Sequence, residues 1–172
     1  MKTVHMLYNW TDMALSLPYT LCFLTRAEQV LMLHRRNPPN QGLWNGVGGR
    51  IEPGELPLAC IVREVREETG FQLSTAHFAG LLTWSGYEIQ DGGLYIFTAP
   101  APDGEPVGND EGKLAWKPIQ WIFSSAEVVS NIHIFGPPVL SGAPAQVYNF
   151  EYRAGQILSH QVKPLPDWVK IS

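Results

Sequence analysis

An α/β layered domain is what this sequence predicts, and three observations predict it. Strand-like runs rich in Val, Ile, Leu, Phe and Tyr recur from Tyr19 to Lys163. They are interrupted by one amphipathic segment, Leu56 to Thr69, with helix signals at both ends. The chain has 172 residues, 45% hydrophobic and 16% charged, which suits a globular protein with a sizeable core.

The elements follow in order. Tyr19 to Leu24 and Gln29 to His34 are apolar, partly β-branched runs separated by Thr25-Arg26-Ala27-Glu28, the pattern of a hairpin. Arg35 to Gly42, RRNPPNQG, is a loop by its Pro-Pro and its Asn and Gly content. In the helix, Leu58, Ile61, Val62 and Val65 form the apolar stripe, Pro57 suits the first turn and Gly70 is placed to end it. Phe78 to Ser85 and Gly93 to Ala99 read as strands around a Gly-containing turn, and Pro100 to Gly112 as a polar loop before the short apolar segment Lys113 to Phe123. Ser124 or Ser125 is positioned to cap a short helix through Val129. A second hairpin, at about 145–163, turns at Arg153-Ala154-Gly155.

No internal repeat, linker or low-complexity tract divides the chain, so residues 1–172 are expected to form a single domain. A net charge of −4 argues against a broad nucleic-acid or anionic-membrane surface, which needs a basic patch. Cys22 and Cys60 lie in apolar stretches without metal-ligand spacing and are expected to be buried, reduced thiols. No apolar run reaches membrane-span length, and MKTVHMLYNWTDM lacks a signal-peptide core, so the expected location is the cytoplasm. The tryptophans, Trp10, Trp84, Trp116, Trp121 and Trp168 among them, are scattered through apolar stretches and are expected to pack in the core or a pocket.

The chemistry concentrates between Gly49 and Phe71, GRIEPGELPLACIVREVREETGF. On a helix, Glu64, Glu67 and Glu68 stand at i, i+3 and i+4 and share one face, where their repulsion is unfavourable without cations. Hard divalent cations that also grip phosphates are the natural compensation. A solvated acidic helix is the plain alternative, but it leaves the glycines and the distant Glu55 unexplained.

The spacing of Gly49, Glu55, Arg63, Glu64, Val65, Glu67, Glu68 and Gly70 resembles the Nudix box without a gap, with Phe71 where the family usually has an aliphatic residue. The resemblance implies an α/β/α sandwich around a mixed sheet, with the box as loop, helix and loop. It also implies a Mg²⁺-dependent hydrolase of nucleoside diphosphate-linked compounds, with Mn²⁺ as a substitute. Glu64, Glu67 and Glu68 match metal-binding positions, and one of them or a downstream glutamate deprotonates water, Glu64 being the first candidate. Gly48 is implied as a ligand through its carbonyl. Arg63 is expected to orient a box carboxylate, and Glu55 to support it from behind. Glu111, in Asp110-Glu111-Gly112, matches the place of an additional metal-binding or catalytic glutamate.

Trp44-Asn45-Gly46-Val47-Gly48-Gly49 resembles the approach to the box in MutT-type oxidised purine nucleoside triphosphatases. This makes Asn45 a candidate for base recognition, alongside its plain reading as a turn residue. Asn131 lies about as far past Trp116 as a base-reading asparagine does in the bacterial MutT pattern, a resemblance that makes it a second candidate, with the end of the short helix as its other reading, and His133 is a weaker one. Of Arg35 and Arg36, paired donors for phosphate, Arg36 is the preferred contact. The implied reaction is hydrolysis of 8-oxo-dGTP or a related nucleoside triphosphate to monophosphate and diphosphate, the partner being a free nucleotide. Other Nudix substrates are the second reading: positions 85 to 87, Ser-Gly-Tyr, lack the proline of ADP-ribose hydrolases, and Tyr87 falls near a tyrosine of diadenosine polyphosphate hydrolases. A nucleotide-sensing module without turnover is the third. The sequence leaves the oligomeric state open.

Overall fold

The computed structural model describes residues 17–172. The opening MKTVHMLYNWTDM, including Trp10, lies outside the described residues. β1 (Tyr19–Arg26) and β2 (Gln29–Arg35) form the expected hairpin, closed at Ala27 in the left-handed region, φ 51°. Their pairing runs only from Arg26↔Gln29 to Leu24↔Leu31. Beyond Leu31, β2 continues against β3 (Trp44–Asn45) on that side and against β6 (Gly112–Pro118) along its other edge. Where β2 departs, segment 47–50 takes its place beside β1, through the bridges Cys22↔Val47 and Tyr19↔Arg50. This fork in the sheet is what positions the site.

On its other side β1 pairs in parallel with β5 (Gly92–Pro100), which pairs antiparallel with β4 (His77–Ser85). β4 pairs in parallel with β7 (Gln146–Arg153), and β7 antiparallel with β8 (Gln156–Pro164), around Ala154 and Gly155. Among the described residues the result is one mixed eight-stranded sheet. Alternation along β1 sorts its side chains, with Leu21 and Phe23 in one core and Cys22 and Leu24 in the other. α1 (Pro57–Thr69) covers the second core with Ile61 and Val65, each contributing roughly 1.5–3 kcal/mol by burial. α2 (Ile119–Ile122) and α3 (Ile132–Leu140) cover the first core through Ile122, Ile132, Phe135 and Val139. The three layers are the α/β/α sandwich expected from the sequence.

α1 begins with Pro57, whose missing N–H would be unpaired there anyway, and ends at Gly70, φ 75°, whose N–H donates to the Arg66 carbonyl at 2.9 Å. Two expectations are corrected. Residues 124–129 form turns rather than a helix: Val128 bridges Trp44, and the Trp44 N–H donates to the Glu127 carbonyl at 2.8 Å. The helix lies later, at α3, where Gly136, Pro137 and Pro138 argue against one. Three large buried side chains, Ile132, Phe135 and Val139, at roughly 1.5–3 kcal/mol each, offset a proline penalty of about 3 kcal/mol per residue. Asn131 therefore stands at the start of a helix, not its end. The segment from Lys113 to Phe123 divides into β6 and α2.

No helix among the described residues is long and apolar enough to cross a membrane. Cys22 and Cys60 are free and buried, and burial pushes the Cys60 thiol up to about 11.

Candidate active site

The Gly48-Gly49 pair is wedged between β1 and α1, and neither position has room for a side chain. The Thr20 N–H donates to the Gly49 carbonyl at 2.9 Å and the Cys22 N–H to the Val47 carbonyl at 2.7 Å. At Gly48, φ 147°, a Cβ would collide with the Thr20 carbonyl. A Cβ on Gly49 would run into the Glu64 carboxylate, so this glycine leaves the space that Glu64 occupies. The Gly48 N–H donates to Glu68 Oε2 at 2.8 Å, tying loop and helix together.

Arg63 organises the face behind. Its guanidinium binds Glu55 with two bonds of 2.8 Å, reaches Glu64 Oε1 at 2.7 Å and Glu67 Oε2 at 3.3 Å, and donates to the Arg50 carbonyl at 3.0 Å. The Arg63 guanidinium beside Glu55 holds that carboxyl down at about 2. Glu64 is raised instead, because burial outweighs its bond to Arg63. Glu68, 4% exposed, is raised furthest, to about 8. Burial is the main cause, with Glu64 and Glu111 adding repulsion against the Gly48 N–H and Arg35.

These carboxylates open onto a cavity of about 350 Å³, the size of a nucleotide-scale ligand site. Glu64, Glu67, Glu68, Glu111, Gly48 and Gly49 line it together with Arg35, Arg50 and Asn109. Asn45 and Asn131 line it too, with Leu82, Trp84, Tyr87, Phe135 and Tyr152. The Asn131 Nδ2 donates to the Tyr152 hydroxyl at 3.1 Å, and the Tyr87 and Tyr152 rings stand 4.6 Å apart, tilted by 48°. Asn45 serves its turn as well, its Oδ1 accepting the Gly46 N–H at 2.9 Å.

The predicted site residues thus divide. Glu64, Glu67, Glu68, Glu111, Gly48, Asn45 and Asn131 come together on the cavity, while Arg63 and Glu55 stand behind its wall. Arg36 does not reach it: its side chain is 65% exposed, 4.0 Å from Asp110, and its main-chain N–H donates to the Glu111 carbonyl. Successive residues of an extended strand end point to opposite sides, and Arg35 takes the cavity side, its Nε donating to the Pro39 carbonyl at 2.7 Å. His133 is spent on the Ser125 carbonyl at 2.9 Å, outside the lining. Sequence reading missed Arg50, Asn109 and Tyr152. Arg50 follows the box glycine directly and Asn109 adjoins Asp110-Glu111, so proximity to the motif could have marked those two; nothing local marks Tyr152.

The donor set suits a hard divalent cation: four carboxylates facing one cavity, one of them buried with its carboxyl raised, beside a glycine cradle. Among the described residues no three acidic, imidazole or thiol side chains close into a ready-made cage. Mg²⁺ does not demand one, because it keeps several of its waters.

Comparison with known proteins agrees with this geometry. The NUDIX domain profile matches residues 16–134, more than half of the chain. The chain belongs to the Nudix family. The Nudix hydrolase YvcI of Bacillus subtilis is 29% identical over 158 residues, covering 84% of this chain and 93% of that protein. The mouse oxidized purine nucleoside triphosphate hydrolase is 30% identical over 107 residues, 60% of this chain and 67% of its own. Among solved structures, the MutT protein of Bacillus halodurans superposes with a TM-score of 0.72 at 27% identity, covering 86% of this chain and 98% of that one. This Nudix protein is thus a hydrolase of MutT type, from a family that cleaves pyrophosphate bonds of nucleotide substrates with the help of divalent metal.

Proposed function

We propose that this Nudix hydrolase cleaves 8-oxo-dGTP or a closely related nucleoside triphosphate to the monophosphate and diphosphate. The observation that carries the reading is the joining of two linings in one cavity: four carboxylates for a metal–phosphate complex and, beside them, amides and aromatic rings suited to a base. The relationship to the mouse oxidized purine nucleoside triphosphate hydrolase supports the choice of base. The single unit acts on free nucleotide in the cytoplasm.

Glu64, Glu67, Glu68 and Glu111, with the Gly48 carbonyl, would hold Mg²⁺, Mn²⁺ being an alternative. Bound there, such a cation would supply charge to neutralise phosphate oxygens and to acidify a water. Glu64 accepts the proton of the attacking water, its oxygen fixed by the 2.7 Å bond from Arg63. Arg63, in turn held by Glu55, keeps the helix face from spreading under its own repulsion. Arg35, on the cavity beside Glu68, contacts phosphate, and Asn45 and Asn131 read the base. The test is incubation with Mg²⁺ and a panel of 8-oxo-dGTP, normal dNTPs and NTPs, ADP-ribose and diadenosine tetraphosphate, with products resolved by chromatography. Preferential release of 8-oxo-dGMP supports the reading. Preference for another compound discards the base assignment, and binding without turnover overturns the enzyme.

A further inference from the structure

We propose that Asn40 is a positioning residue that clasps Tyr87 over the cavity, making the Tyr87–Tyr152 ring pair the wall that selects the base. The proposal rests on the nucleotide reading of the cavity. Asn40 lies in the loop from β2 to β3, and Tyr87 in the loop from β4 to β5, 47 residues apart in sequence. Two bonds join the loops through the same residue. The Tyr87 hydroxyl donates to Asn40 Oδ1, and the Asn40 N–H donates to Glu88 Oε1 at 3.1 Å.

Each loop is also closed on itself. The Gly42 N–H donates to the Arg35 carbonyl at 2.9 Å and the Leu43 N–H to the Asn40 carbonyl at 3.1 Å. In the other loop the Gly86 N–H donates to Asp91 Oδ1 at 2.9 Å and the Trp84 Nε1–H to the Gln90 carbonyl at 3.0 Å. Asn40 adopts φ 64°, a left-handed conformation that asparagine tolerates better than most residues, so its identity serves both loop and clasp.

The consequence for a ligand is specific. The Tyr87 hydroxyl lies against Asn40 Oδ1 with the Glu88 carboxylate beside it, and the Tyr87 side chain lines the cavity. The Tyr152 hydroxyl, in contrast, accepts from the Asn131 amide at 3.1 Å. Two rings in contact with each other, each bonded to an asparagine, make one face of fixed position on the cavity, and a flat base is the part of a nucleotide that can stack against such a face. The phosphates, by contrast, face the carboxylates and would not register the clasp.

The experiment compares wild type with Asn40→Ala, Tyr87→Phe, the double variant and Asn40→Asp, the last keeping an acceptor for the Tyr87 hydroxyl. KM and kcat are measured for the preferred nucleoside triphosphate. In parallel, binding of an α,β-methylene deoxynucleoside triphosphate with Mg²⁺ is followed by tryptophan fluorescence, and thermal melting checks the fold. Losing one positioning hydrogen bond should raise KM and Kd about fivefold in Asn40→Ala and in Tyr87→Phe, with kcat within about twofold. The double variant should be no worse than either single one, and Asn40→Asp should recover most of the loss. Unchanged KM and Kd, or losses that add in the double variant, overturn the clasp. Nucleotide binding without turnover in wild type would sink the proposed activity while the Kd series still decides the clasp; no nucleotide binding by wild type overturns both.

Discussion

The two walls of the cavity are stabilised in opposite ways. The carboxylate wall is incomplete by itself: Arg63 satisfies Glu55, Glu64 and Glu67 from behind, but Glu68 is left buried beside Glu64 and Glu111, and its carboxyl is raised to about 8. The aromatic wall is already satisfied, with Tyr152 bonded to Asn131 and Tyr87 to Asn40. The difference teaches which side must respond when substrate arrives. A cation relieves the charged wall and changes its protonation, whereas the neutral wall is built in advance and has only to admit a base.

The sharpest way to break this contrast is to remove a carboxylate. Glu67→Gln or Glu68→Gln should lower kcat about 1,000-fold, because each deletes charge that a metal–phosphate complex needs, and steady-state kinetics with Mg²⁺ checks it. The outcome that would erase the contrast is a rise in KM alone. Next comes the support behind the wall. Glu55→Gln removes the negative charge and one of the two acceptors of the 2.8 Å bonds, leaving Arg63 to be drawn toward Glu64 and Glu67, so kcat/KM should fall about 10- to 100-fold.

The pH dependence is smaller and has opposite signs at two carboxyls. Glu68 is raised above its ordinary 4.5, so in metal-free protein its contribution to stability is present below that value and is lost as pH rises toward about 8. A cation competes with that proton. Mg²⁺ affinity should rise by up to about tenfold per pH unit and level off above pH 8, with proton release in calorimetry run in buffers of different ionisation enthalpy. Glu55, held at about 2, does the reverse: its stabilisation is present above 4.5 and disappears as pH falls toward 2, which acid titration of the fold would register. The smallest effect belongs to the neutral wall. Asn131→Ala strips the hydrogen bond from Tyr152 and should raise KM about fivefold with kcat nearly unchanged, and a large loss of kcat would show that the walls are not separable.

Much of this was legible in advance, and unevenly. Helix α1 appeared within a residue of its observed start because Pro57, the apolar stripe and Gly70 all point the same way. The carboxylate wall came with it, since positions i, i+3 and i+4 share a face wherever the helix packs. α3 was hidden, because Gly136, Pro137 and Pro138 speak against a helix that burial of Ile132, Phe135 and Val139 enforces. Arg35 and Arg36 could not be told apart either: the side of the strand each occupies depends on where β2 leaves β1, and no residue of the loop records it.

What the sequence determined by itself is therefore the chemistry of one short stretch, in which covalent spacing and helical period fix geometry locally. What only the tertiary structure decided is the aromatic wall. Asn40, Tyr87, Asn131 and Tyr152 are distant along the chain, and they meet because the sheet forks at β1 and α3 packs on its far face. Such contacts depend on strand order and register, which follow from packing the whole core and are not written in any local pattern.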